Sequence, residues 1–403
     1  MTAPRGSTAD ADRLPRAPRR VVIEAAAALA AGLGVGRFVY TPILPLMTAH
    51  AGLSVSGGST LATANYVGYL IGAAAGIAWP SLTRSVTALR ASLLVVVATL
   101  ALMPVTRSVT AWSVLRLLAG IASALLFMIA AAALLAQLSG HAAHLTGWAF
   151  GGVGVGIALS GAVVLVVREL AGWQATWLAS AVLAAVLASA AWRLRPERAT
   201  STTAAAPRAA SGSHRWFVAA LVSYSLEGVG YIIAGTFLVA AIDENSARWV
   251  GSGAWILVGL AALPSAALWA GLAARFSRPV LMLSALLVQT VGIALPAVID
   301  GVAAALASAV LFGATFLGIA NLAIAIGAEL GFPRAIAILT TGYSVGQIVG
   351  PLIVRPLLHS GYRPALLLGA VIVLSAAVAA LWLRVGYPSG APRRRRSLGA
   401  PAT

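Results

Sequence analysis

Of the ionisable residues inside long apolar runs, where a charge needs a reason, two come first. They are Arg37, in Gly34-Val35-Gly36-Arg37-Phe38, and Glu227, in Leu226-Glu227-Gly228-Val229-Gly230. A charge at the centre of a lipid-spanning helix costs at least about 2.5 kcal/mol, so function is the default reading. Glu227 follows Arg215 by twelve residues, roughly 18 Å along a helix. With Arg215 at the interface, Glu227 falls near the bilayer midplane. Desolvation there favours the neutral acid and a nearby cation favours the carboxylate, so a group held between the two can carry a proton. The alternative is a permanently neutral acid bonded to a neighbouring helix. Arg37 offers a fork of donors that suits a carboxylate.

Other polar groups sit in the same runs: Asn65, Tyr66 and Tyr69, then Gln289, Asn321 and Gln347. Each can hydrogen-bond a ligand, and each can equally bond another helix, the commoner use of such residues. What is missing narrows the chemistry further. The chain has no cysteine, which excludes disulfides, thiolate metal sites and cysteine nucleophiles. Its five histidines are scattered and make no zinc or haem constellation. No Walker, Rossmann or catalytic-triad pattern is present, and the glycine-rich runs lie in apolar segments, unsuited to cradling phosphate. The expectation is a non-enzyme without metal or cofactor.

The elements that must position these residues follow from composition. Of 403 residues 60% are hydrophobic and 9% charged, against about 25% charged in soluble domains. A soluble fold so built would expose apolar surface beyond what monomers tolerate, and the long unbroken runs exclude an outer-membrane barrel. A span needs about 20 apolar residues, and twelve are legible: Val21–Met47, Thr60–Trp79, Leu89–Thr106, Val109–Gln137, Thr146–Val167, Trp173–Trp192, Trp216–Ile242, Val250–Ala274, Val280–Val298, Val302–Ala328, Ala335–Leu358 and Pro364–Leu383. The reading is an all-α membrane protein of two six-helix halves, 21–192 and 216–384. A disordered, uncleaved tail (1–20), a flexible linker (193–215) and a basic tail (385–403) complete it.

All 27 basic residues are arginine, and the net charge is +17. Their placement at span ends and in tails argues for topology, not nucleic acid. Twenty arginines fall on the side of both termini and four on the other, which puts both termini in the cytoplasm. Arg37, Arg116 and Arg355 remain inside spans. Arg355 is expected to snorkel, and Glu24 to pair with Arg20 four residues earlier.

The halves repeat. Gly34-Val35-Gly36 recurs as Gly228-Val229-Gly230 at an offset of 194, Gly68 and Arg84 as Gly259 and Arg275 at 191, and Gly152 and Gly156 as Gly342 and Gly346 at 190. A near-constant offset across several spans marks parallel repeats. This pattern, with the basic linker, resembles the major facilitator superfamily over about residues 20–385. Gly34 to Pro42, Ala64 to Leu70 and Leu226 to Tyr231 are similar to its YbfB/YjiJ-type branch. Arg116-Leu117-Leu118-Ala119-Gly120 resembles the superfamily's span 4 motif. Gly346-Gln347-Ile348-Val349-Gly350-Pro351 resembles its glycine-rich antiporter motif, and Gly152-Val153-Gly154-Val155-Gly156 does so without the proline. The loop after the second span keeps Gly76 and Arg84 but lacks the usual aspartate and second glycine.

The resemblance implies spans 1, 4, 7 and 10 around a central cavity that opens alternately to each side. Under the repeat Arg37 matches Tyr231, one turn beyond Glu227, so the expectation is an exchangeable Arg37–Glu227 pair across that cavity. Protonating Glu227 would free Arg37 for an anionic or electron-rich solute group; the alternative is a fixed ion pair locking the halves. By the span 4 motif Arg116 tunes protonation or gating, or else it snorkels or pairs with Glu24. Tyr40, Tyr224, Tyr231 and Tyr343 become candidate cavity aromatics, Tyr40 and Tyr231 foremost. Solute contacts are thus expected at Arg37, Tyr40, Asn65, Tyr231, Asn321 and Gln347, with Glu227 and Arg116 in proton coupling. The glycine rows 152/156 and 342/346 are expected to be sliding surfaces between rocking halves. Together these point to a monomeric, proton-coupled secondary transporter of the inner membrane, moving a small organic solute; the span 5 and 11 motifs lean towards antiport and export, and Arg37 towards uptake of an organic anion. A non-transporting sensor or scaffold is the alternative, and it predicts a dry, packed midplane.

Overall fold

The computed structural model describes residues 18–138, 143–196, 213–244, 246–332, 334–385 and 387. Most of the expected linker and both tails lie outside them. Among the described residues there is no strand, and eleven helices are long and apolar enough to cross a membrane. We number them α1 (Pro18–His50), α2 (Val55–Ala78), α3 (Val86–Val105) and α4 (Val109–Gln137). The next, Leu145–Ala191, is 47 residues long. It is broken at Gly172, whose φ of 73° and ψ of −174° are not helical, giving α5 (145–171) and α6 (173–191). Only glycine adopts that backbone without strain. Counting across the break gives twelve spans. The rest are α7 (His214–Asp243), α8 (Trp249–Leu272), α9 (Arg278–Val298), α10 (Val302–Glu329), α11 (Ala335–Val354) and α12 (Arg363–Arg384).

Serine caps start three of these helices. Ser54, Ser85 and Ser108 each accept from the backbone N–H three residues on, at 3.0, 3.1 and 3.4 Å, satisfying donors the first turn leaves open. The Ser54 cap starts α2 five residues ahead of Thr60, and α5 outruns its expected end at Val167. Arg168 and Glu169, read as loop residues, therefore belong to its last turns.

Helices α1–α6 pack among themselves, chiefly α2 on α4, α3 on α4 and α1 on α5; α7–α12 do likewise, with α7 on α11 and α12 and α10 on α8 and α9. The two groups meet along α5 with α8, α2 with α11, and the second part of α1 with α7. We call the face bearing Pro18 and Arg384 the terminal face.

Glycines set which helices approach closely, and they correct one expectation. A side chain on Gly152 or Gly156 would strike α1 at Ala26 or Ala30, and one on Gly342 or Gly346 would strike α7 at Ser225. Both rows are packed inside one six-helix group, so neither is a sliding surface between groups. The seam between groups is another face of α5. There Gly147, Gly151, Gly154 and Gly161 meet Ala267, Leu263, Gly259 and Ile256 of α8. A single helix can present small residues on two faces, and four-residue spacing does not say which partner each face meets.

Candidate functional site

The site begins with a defect in α1. Residues Ala30–Val35 form a π-turn, in which Gly36 N–H donates to the Ala31 carbonyl at 2.9 Å and Phe38 N–H to that of Leu33 at 3.1 Å. Such five-residue bonds accommodate one extra residue and recur at functional sites. Just beyond, Pro42 and Pro45 carry no N–H. Thr41 N–H therefore turns to the Phe38 carbonyl at 3.2 Å, and the Arg37 carbonyl is left without its usual donor. Arg116 of α4 supplies one: Nη2 donates to the Arg37 carbonyl at 2.8 Å and Nη1 to that of Gly36 at 2.9 Å. Tyr40 lies under this guanidinium, its ring centroid 5.0 Å from Cζ. Asn65 of α2 in turn donates to the Arg116 carbonyl at 2.8 Å.

This scaffold holds Arg37 in the wall of a cavity of about 740 Å³, counting its open mouth. The side chain is 4% exposed. Its Cζ stands 4.3 Å from the Tyr69 ring centroid and 5.0 Å from that of Tyr66. Nη2 donates to Gln347 Oε1 of α11 at 2.8 Å, and Gln347 Nε2 donates to the Tyr231 hydroxyl of α7 at 2.8 Å. Nε has no protein acceptor. Eight of the seventeen lining residues are aromatic, in a chain that is 7% aromatic. Tyr231 lies nearly parallel to Phe316 (centroids 6.0 Å apart, 8° between planes) and to Tyr343 (5.5 Å, 12°). Tyr343 stacks in turn on Tyr224 at 4.3 Å.

The cavity runs from Arg37 towards the terminal face. Phe150, Ile324 and Thr340 line it within about one and a half turns of the terminal-face ends of α5, α10 and α11. On the other side of Arg37 the two groups are tied together. Thr41 donates to the Gly235 carbonyl at 2.5 Å and Ser59 to that of Pro351 at 2.7 Å. Thr236 gives its proton to the Ile232 carbonyl at 2.7 Å, so at 2.8 Å the Tyr66 hydroxyl is the donor to Thr236. At the outer edge Arg168 of α5 pairs with Asp243 of α7 at 3.4 Å and donates to Ser252 of α8 at 2.9 Å.

Glu227 lies elsewhere. It is fully buried but outside the cavity wall. Its carboxyl faces the Gln289 amide of α9 without meeting hydrogen-bond geometry. The expected Arg37–Glu227 pair is absent: Arg37 is held by Gln347 and tyrosine rings, and Glu227 points at α9. Tyr224, Tyr231 and Tyr343 stand near enough to the carboxyl to feel its charge.

Of the expected solute contacts, Arg37, Tyr231, Asn321 and Gln347 come together in the cavity wall, and Tyr40 and Asn65 do not. Tyr40 donates to the Gly58 carbonyl at 2.8 Å and packs on Arg116. Asn65 braces α4, and Arg116 serves backbone carbonyls. Glu24 pairs with Arg20 at 2.9 Å, so the alternative Arg116–Glu24 pair is not formed. Sequence reasoning missed Phe38, Phe127, Phe150 and Phe316 in the wall. Single phenylalanines in apolar runs look like packing, and only Phe38, next to Arg37, carried a local signal.

Twelve spans in two packed six-helix groups around a central cavity define a transporter of the major facilitator fold. The chain belongs to the family described as "Uncharacterised MFS-type transporter YbfB", whose model matches residues 29–381. Among solved structures it is similar to a mutant of the nucleoside transporter NupG. The TM-score is 0.67 and the identity 14%, with 90% of this chain and 98% of that one covered. No curated protein matches the sequence.

Proposed function

We propose that this chain is a proton-coupled secondary transporter of the cytoplasmic membrane, both termini inside, carrying a small organic anion by alternating access as a monomer. The observation that carries this reading is the cavity around Arg37, closed by bonds between the groups on one side and continuing towards the terminal face on the other. A scaffold or sensor would have that space packed. The twenty-to-four arginine asymmetry makes the terminal face cytoplasmic.

Solute and proton use different groups. Arg37, Tyr231, Asn321 and Gln347 form the solute site. Glu227, buried and without a cation, is the proton site. Because no direct pair joins them, coupling runs along α7, where Glu227 and Tyr231 are one turn apart, and through Gln347, which bridges Tyr231 and Arg37. In proteoliposomes, Glu227→Gln should abolish accumulation of a transported organic acid driven by a pH gradient. Equal-pH counterflow, which moves no net proton, should persist. Gradient-driven accumulation by this variant would remove Glu227 from the mechanism.

A further inference from the structure

We infer that the cavity takes a planar aromatic monocarboxylate, with its carboxylate on Arg37 and its ring against the parallel rings of Tyr231, Phe316 and Tyr343. This ligand occupies the solute site proposed above, and what happens to it after binding rests on that reading.

Charge decides the first half. Arg37 is the one formally charged residue among the seventeen that line the cavity. A guanidinium has five N–H donors, and here a single protein hydrogen bond, to a neutral amide, uses them. Among the described residues the other deeply placed arginines are better served: Arg116 holds two carbonyls and Arg168 an aspartate and a hydroxyl. A carboxylate makes stronger, bidentate bonds to guanidinium than an amide oxygen does, so an incoming one displaces Gln347. A second ligand charge finds no counter-charge in the wall, which disfavours dianions, zwitterions and cations.

Shape decides the second. Tyr231 lies within 12° of parallel to both Phe316 and Tyr343, and within 18° of Phe312 behind the wall. Tyr231, Phe316 and Tyr343 line the cavity beside the Gln347 bridge as parallel, stacked rings that a further flat ring can join. A flat ring gains offset stacking there beyond simple burial, which a puckered ring of equal size does not. Much of the remaining wall is aliphatic, including Leu33, Val153, Leu317 and Ile324, and offers little to a polyhydroxylated body.

The test is calorimetric binding to the purified protein in nanodiscs with benzoate, cyclohexanecarboxylate, benzamide, benzylamine and uridine. Benzoate should bind about tenfold or more tighter than benzamide, through the charge. It should bind about threefold or more tighter than cyclohexanecarboxylate, through the ring, and benzylamine and uridine should be weaker than benzoate. Arg37→Gln should erase the preference for benzoate over benzamide. Should that variant fail to fold, Phe316→Leu should erase the preference over cyclohexanecarboxylate. Benzamide or uridine matching benzoate, cyclohexanecarboxylate matching it, or no binding by any probe to folded protein would each overturn the assignment. Binding needs no gradient and no translocation. Benzoate bound but never moved in counterflow would instead sink the transporter reading and leave the ligand class standing.

Discussion

Arg116 and Arg37 are both arginines buried inside spans, yet they do opposite work. Arg116 closes the hydrogen-bond account that a π-turn and Pro42 leave open in α1. Arg116→Ala therefore strands two buried carbonyls, and we expect a loss of about 2–5 kcal/mol. It should appear as earlier unfolding in detergent micelles, with Arg116→Lys recovering part of the loss; wild-type unfolding in the alanine variant would refute the role. That both arginines and Glu227 would be kept away from lipid was legible from the cost of charge in an apolar run. Their partners were not. The repeat fixes depth along α1 and α7 but not direction, and the extra residue of the π-turn rotates the remainder of α1 by about 100°. Arg37 therefore does not point where an unbroken helix would aim it. Asn65 and Tyr40 were misread for a related reason: their bonds go to carbonyls, which no pattern of side chains reveals.

At the scale of the element, span number was legible from apolar length alone, because lipid forces each crossing to be long and helical. The edges were less so where a cap, not hydropathy, sets the start, as Ser54 does for α2. The partner of each glycine face was not legible at all. The α5 face towards α8 carries Gly147, Gly151, Gly154, Ala158 and Gly161, and a side chain at Gly154 would strike the Gly259 carbonyl and Leu263 backbone. Gly154→Leu should force the helices apart and sharply reduce the yield of monodisperse protein in detergent. Gly271→Leu, where nothing lies within 4 Å, should not. Equal yields from the two would mean that the seam tolerates separation.

For the whole molecule, the resemblance predicted a central cavity and the structure has one, while the closure of one side came only from coordinates. Arg168 was assigned to a loop by its charge, and its tie to Asp243 joins residues 75 apart in sequence. If that tie keeps the outer side shut, Arg168→Ala should favour the opposite-open state. The chain has no cysteine, so a single Ser59→Cys reports directly. An impermeant maleimide applied from the face opposite the termini should label it several-fold faster in the Arg168→Ala background; unchanged labelling would argue that the tie is incidental. The seam between α5 and α8 has a mechanical corollary. Contact so close and so long leaves little room for translation, so any relative movement of the two groups would reduce to rotation about an axis close to those two helices. Displacement would then grow with distance from that axis, and α2 and α11, joined by the Ser59 hydrogen bond near their outer ends, would part like a door away from its hinge.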